Sequence, residues 1–250
     1  MILLLFLAGL AGGAVNTLAG GGSFITFPAL LAAGVPPVVA NASNTFASTA
    51  GYLSGAWSLR KTITEGRQVL WRTALLSTLC GGLGAWLLTQ TSNTAFNGVI
   101  PWLLLFASAL FIWGAQLNTY LTRWRAHPNR HDFVRVGFFA IFACVAIYGG
   151  FFNAGLGILL LSYMSLAGYR SVNEMNALKL LYSSTISSSA ILVFIASDLI
   201  QWRQTLILLA GTLIGGYGAG KLSTKIPVIF IRWLIIGVSI TVTVYFFYQR

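Results

Sequence analysis

Lys179 stands in MNALKLLYSSTISSSAILVFI, about eight residues into an apolar segment. That spacing puts it roughly 12 Å deep in a hydrocarbon layer of about 30 Å. A lysine at the centre of a spanning helix costs about 2.5–3.5 kcal/mol on insertion scales. Asn176, Lys179, Ser183 and Ser187 recur at helical spacing and so share a face. An ammonium flanked by amides and hydroxyls suits the neutralisation of a small anion. The structural alternative is that Lys179 snorkels or pairs with Glu174. That pair has poor geometry along a helix, and Glu174 lies nearer the membrane surface.

Backbone groups are the second set of candidate donors. NTLAGGGSFITFPALLAAGVPP (Asn16–Pro37) carries three consecutive glycines inside an apolar run. Glycine weakens a helix and frees its backbone, and freed groups are costly in lipid unless protein or water covers them. A helix broken at mid-membrane turns its unpaired N–H groups and dipole toward a cavity, which is an anion site. Gly21, Gly22 and Ser23 open one such end, and Gly155 and Gly157 open another. No G-K-[ST] follows GGGSF, so this is no nucleotide-binding loop. Asn41, Asn44, Ser48 and Gly55 form a polar stripe with Tyr52 beside it, counterpart to the stripe of Lys179. The expected substrate-binding set is therefore Asn16, Gly21, Gly22, Ser23, Asn41, Asn44, Asn153, Gly155, Gly157, Asn176, Lys179 and Ser183. Glu174 is the sole carboxylate placed to couple protons, although the substrate could carry the proton itself. Any one of the asparagines serves equally well as interhelical glue.

These residues need a membrane scaffold to hold them. The 250-residue chain is 57% hydrophobic and 8% charged, against about 25% charged in a soluble domain. The apolar runs are continuous rather than alternating, which excludes a β-barrel reading. The expected fold is an all-α integral membrane protein. Apolar segments fall at 2–18, 23–34, 38–59, 69–90, 97–118, 134–152, 156–167, 172–197, 204–220 and 228–248. Ser23–Ala33 and Ile158–Ala167 are too short to span and read as half-helices or re-entrant arms. The opening MILLLFLAGLAGGA lacks a basic n-region and reads as the first membrane segment.

Net charge is +11, yet the basic residues cluster in short loops, so topology rather than nucleic acid explains them. Twelve of them fall on one side if that side is cytoplasmic, and Arg203 and Arg250 on the other. Both termini then face outward from a multi-pass protein of the inner membrane. Cys80 and Cys144 read as buried inert thiols, and His127 and His131 as solvated loop residues. Gly9/Gly13, Gly51/Gly55, Gly211/Gly215 and Gly216/Gly220 are pairs that let helices approach closely.

The chain also repeats itself. AGGAVNTLAGGGSFITFPALLAAGVPPVVANASNTFAST matches YGGFFNAGLGILLLSYMSLAGYRSVNEMNALKLLYSS in the order of its glycines and asparagines. Asn16 aligns with Asn153, Gly34 with Gly168, and NASNTFAST with NALKLLYSS. Residues 1–118 and 134–250 are expected to form two membrane repeats, joined by a basic cytoplasmic loop at 119–133. Five segments per copy invert the second, the common build of a secondary transporter.

NTLAGGGSFITFPALLAAGVPPVVANASNT and GFFNAGLGILLLSYMSLAGYRSVNEMNALKLLYSS resemble the paired signatures of the TauE/SafE family, the sulfite-exporter group of membrane permeases. The resemblance spans nearly the whole chain. It implies secondary transport of small anions, notably sulfite and organosulfonates such as sulfoacetate. Related sequences often carry a lysine after the first-copy asparagine, where this chain has Thr45 after Asn44. The expected function is alternating-access transport of such an anion, held by Lys179 and two half-helix N-termini. The alternatives are a passive small-anion channel, or a transporter of another small oxyanion or carboxylate. No enzymatic activity, cofactor or metal is expected. The expected partners are the anionic substrate and the lipid bilayer, not nucleic acid, with a homodimer also open.

Overall fold

The computed structural model describes residues 1–64, 66–125, 131–169 and 171–222, together with single positions between 233 and 248. Among the described residues every regular element is helical. In chain order these are α1 (Ile2–Leu18), α2 (Ser23–Ala32), α3 (Pro37–Leu59), a 3-10 turn (Arg60–Thr62), α4 (Arg67–Thr89), α5 (Asn93–Arg125), α6 (His131–Phe151), α7 (Leu156–Ala167), α8 (Val172–Ala196) and α9 (Trp202–Leu222). The expected segment at 228–248 lies outside the described residues apart from those single positions. So do Glu65, His127 and Arg170. Helix α5 runs on to Arg125 and α6 begins at His131, so the expected connection at 119–133 is helical at both of its ends.

Local chemistry sets the boundaries. Pro37 opens α3 at its first position, where a missing N–H costs nothing. The Ser171 hydroxyl accepts from the Glu174 N–H at the start of α8, a capping bond. Helices α2 and α7 both end on a left-handed glycine, Gly34 at φ +80° and Gly168 at φ +98°. The next N–H then reaches back into the helix: Val35 to the Leu30 carbonyl at 3.1 Å and Tyr169 to the Met164 carbonyl at 3.1 Å. This is the Schellman closure, which a glycine makes cheap.

The outer surface is apolar, and polar side chains are buried beside the apolar core. Leu75, Leu79, Leu83, Trp86, Leu192, Leu206 and Leu213 face outward, while Asn16, Asn41, Asn44, Asn153, Lys179 and Ser187 are buried. An apolar exterior, with the deep polar groups kept inside beside an apolar core, is what a hydrocarbon solvent demands. Helices α8 and α9 are each long and apolar enough to cross a membrane. Cys80 is half-buried and Cys144 is exposed, both as free thiols. The expectation of two buried thiols is thus corrected: Cys144 lies on the outward apolar face of α6, which a thiol suits as a small hydrophobe.

Helix α1 packs on α2, α3 and α9, and α3 packs on α2, α8 and α9. Helix α6 packs on α7, α8 and α4, and α8 packs on α7, α4 and α3. The small-residue pairs act as expected. A Cβ on Gly13 would collide with the backbone of Thr212, and one on Gly216 would sit 2.7 Å from the Gly51 carbonyl oxygen. Helices α1 and α3 therefore meet α9 backbone to backbone.

Candidate functional site at the two helix breaks

Residues 19–22 interrupt the path from α1 to α2, and residues 152–155 that from α6 to α7. Each break turns on a left-handed glycine, Gly20 at φ +83° and Gly155 at φ +81°, a conformation strained for any residue with a Cβ. The two breaks touch. A Cβ on Gly157 would lie 2.6 Å from the Gly20 Cα and 3.2 Å from the Lys179 Cδ. Gly157 is the second residue of α7, so it stands at the start of that helix and packs on Gly20 as well.

Lys179 lies over this junction and is 1% exposed. Its ammonium donates to the Thr17 carbonyl oxygen at 3.2 Å and to Asn176 Oδ1 at 3.2 Å. It neither snorkels nor pairs with Glu174. Thr17 carries one of the last carbonyls of α1, which have no partner within the helix, and the ammonium meets the negative end of that helix dipole. Of the three protons on Lys179 Nζ, the third has no partner among the described residues. In the other half an amide does the same work: Asn41 Nδ2 donates to the Phe151 carbonyl oxygen, the last of α6, at 2.8 Å. Each broken helix is thus capped by the polar helix of the opposite half.

The start of α2 is held by Asn16, whose Oδ1 accepts the Gly22 N–H at 2.7 Å. The Thr26 hydroxyl bridges the Gly22 carbonyl oxygen at 3.2 Å and Asn44 Oδ1 at 2.5 Å. Asn44 Oδ1 also accepts from Ser48 Oγ at 3.4 Å. Asn153 lies within its break and joins both halves. Its Oδ1 accepts from the Tyr52 hydroxyl at 2.6 Å and from Ser23 Oγ at 3.4 Å. Its Nδ2 donates to Ser187 Oγ at 2.9 Å.

Several buried groups stay uncommitted. Among the described residues Asn16 Nδ2, Asn44 Nδ2, Ser183 Oγ and Asn41 Oδ1 have no hydrogen-bond partner, nor do Ser77 Oγ on α4 and Gln204 Oε1 on α9. The N–H groups of Gly21, Ser23, Gly155 and Gly157 likewise have none among the described residues. Buried polar groups are ordinarily paired, and each exception needs a reason. Near the breaks Asn16 and Asn44 each leave an amide nitrogen free to donate, and Ser183 stands one turn along α8 from Lys179. Such an arrangement can hold an acceptor-rich group, which is what an oxyanion is.

The structure brings Asn16, Gly22, Ser23, Asn44, Asn153, Asn176 and Lys179 into linked contacts at the two breaks. Glu174 is not among them. It is half-buried at the start of α8, where it accepts from the Thr64 N–H at 3.0 Å and from the Thr64 hydroxyl. Its carboxylate ties the loop after α3 to α8. Thr17, Gly20 and Thr26 escaped sequence reasoning, and Tyr52 counted only as a neighbour. Their signal was polarity or a glycine within three turns of a suspected break. No sequence pattern shows that Tyr52 reaches Asn153 across 101 positions.

A model of the family described as "Sulfite exporter TauE/SafE" matches residues 5–246. A "Probable membrane transporter protein" of Haemophilus influenzae is 26% identical over 254 residues, covering 100% of this chain and 96% of the relative. The "Probable membrane transporter protein YfcA" of Escherichia coli K12 is 26% identical over 239 residues, covering 94% and 85%. The "Probable membrane transporter protein ORF9" of Sinorhizobium sp. is 25% identical over 248 residues, covering 98% and 91%. No solved structure matches this chain.

Proposed function

The chain belongs to the sulfite exporter TauE/SafE family, and from that premise we propose that it is a secondary transporter of small sulfur-containing anions. Sulfite and organosulfonates are the substrate class. The protein binds the anion at mid-membrane and releases it by alternating access; it catalyses no covalent step. One observation carries the reading: a fully buried lysine stands where two broken helices touch, and buried amide donors of Asn16 and Asn44 in the same network have no partner among the described residues. A charge so placed is costly, and so are buried donors left unpaired. An anion would repay both. A passive pore would gain little from a single buried charge bonded to a helix end.

The architecture that fits is two inverted repeats, 1–118 and 134–250, around the connection at 119–133. The pairing of helices supports this. Exchanging α1, α2, α3 and α4 for α6, α7, α8 and α9 maps α1 on α9 to α6 on α4, α3 on α9 to α8 on α4, and α2 on α3 to α7 on α8, all of which pack. The α3–α8 contact lies between the halves and maps onto itself. Rocking of one half against the other would then expose the breaks to either side in turn. The twelve basic residues on one side favour an inner-membrane protein with both termini outside.

The test is anion binding by Lys179→Met in protein reconstituted into vesicles. The variant is expected to insert, with a terminal reporter reading outside, and to lose sulfite and sulfonate binding by about 100-fold, as befits loss of a charged partner. Undiminished sulfonate affinity in Lys179→Met overturns the role of this residue. A reporter reading inside overturns the orientation.

A further inference from the structure

The charges around the breaks bear on valence. Each break contributes one helix C-terminus and one helix N-terminus. Their partial charges, about −0.5 and +0.5 of an elementary charge, cancel within each break. Lys179 then remains as a single positive charge, and among the described residues it is the one charged side chain that is buried. Glu174 is engaged with Thr64 outside the cluster. The position in the first half that aligns with Lys179 is Asn44, which is buried and neutral, and its Nδ2 lacks a partner. Asn16, 1% exposed, offers a second unpartnered Nδ2 against Gly22 at the start of α2.

We propose that this site is matched to a singly charged oxyanion: one oxygen on the Lys179 ammonium, the others on the neutral donors of Asn16, Asn44 and α2. The proposal rests on the transport reading above and narrows its substrate class to monovalent anions. A monoanion on Lys179 leaves the buried site neutral. A dianion leaves one negative charge in a low-dielectric interior with amides alone to meet it, which is strongly unfavourable. Asn41 Oδ1 and the Ser183 hydroxyl, also uncommitted among the described residues, add no positive charge to offset that. The two halves are thus chemically unequal, with an ammonium on α8 and an amide at the same register of α3.

The experiment measures calorimetric binding to the purified chain at neutral pH, with two pairs of similar size: ethanesulfonate against sulfoacetate, and propionate against malonate. Carboxylates and sulfonates are ionised there, so charge differs within each pair while size scarcely does. The monoanion of a pair that binds is expected to be tighter by about tenfold or more. Asn44→Lys supplies the missing charge and is expected to remove or reverse that preference. Equal or tighter binding of the dianion by the wild-type chain overturns the proposal. So does a folded Asn44→Lys whose preference is unchanged. If that variant fails to fold, the wild-type ratio decides alone. A silent sulfonate pair beside carboxylates that obey the charge rule defeats the sulfur reading and leaves this proposal standing. Sulfonates bound without regard to charge do the reverse, and failure of all four to bind defeats both.

Discussion

Gly157→Ala tests whether the two breaks meet as described. A Cβ at that position falls 2.6 Å from the Gly20 Cα and 3.1 Å from the Gly20 carbonyl oxygen. Both are backbone atoms of a residue fixed at φ +83°, so no side chain can swing away. The breaks must part by several tenths of an ångström, and the Lys179 stem 3.2 Å away must follow. Overpacking of this kind costs about 1–3 kcal/mol. At about 2–4 °C per kcal/mol for a chain of this size, the fall in Tm is roughly 2–12 °C. Gly20→Ala adds the left-handed cost of about 1–2 kcal/mol to a comparable collision, 2.8 Å from the Gly157 carbonyl carbon, and is expected to be worse. Two controls separate the terms. Gly34→Ala has the positive φ but no atom within 4 Å, so it carries the backbone cost alone. Gly218→Ala, in α9 with open space around it, is expected to be neutral or stabilising by up to about 1 kcal/mol. The assay is thermal unfolding in detergent, followed by fluorescence of the eight tryptophans. Should Gly157→Ala melt with Gly218→Ala rather than below Gly34→Ala, the contact between the breaks is refuted.

Ser183→Ala is expected to keep or raise Tm while weakening anion binding by about tenfold, because it removes a buried hydroxyl that has no partner among the described residues and that the proposed anion would engage; a matched loss of stability and no loss of affinity would make Ser183 a packing residue. Glu174→Gln keeps an acceptor for Thr64 and is expected to leave the pH profile of vesicle uptake unchanged; a displaced profile would return this carboxylate to proton coupling.

Much of the scaffold was legible in the sequence because lipid imposes strong rules. Continuous apolar runs can only be helices there, and α1 (Ile2–Leu18) and α7 (Leu156–Ala167) coincide with the runs at 2–18 and 156–167. The two short helices were legible from length, and their ends from Gly34 and Gly168. Lys179 was legible because hydrocarbon makes a charge conspicuous. The partners of these residues were not. Asn16 and Asn153 align in sequence, yet Asn16 is wound into α1 and reaches forward to Gly22, while Asn153 sits inside its break and bridges the halves. Glu174 read as a pathway residue for want of other carboxylates. Its bonds to Thr64, 110 positions away, were not legible.

Sequence alone determined the solvent, the helices, their interruptions and the presence of one deep charge, since each follows from local composition against the cost of exposing polar groups to oil. Tertiary structure alone decided that the ammonium on α8 caps α1, that Asn41 on α3 caps α6, and that Gly20 rests on Gly157. These are contacts between segments more than 100 positions apart, and they depend on where whole helices cross. A hydropathy pattern tells which face of a helix is polar; only the packing of nine described helices tells what that face meets.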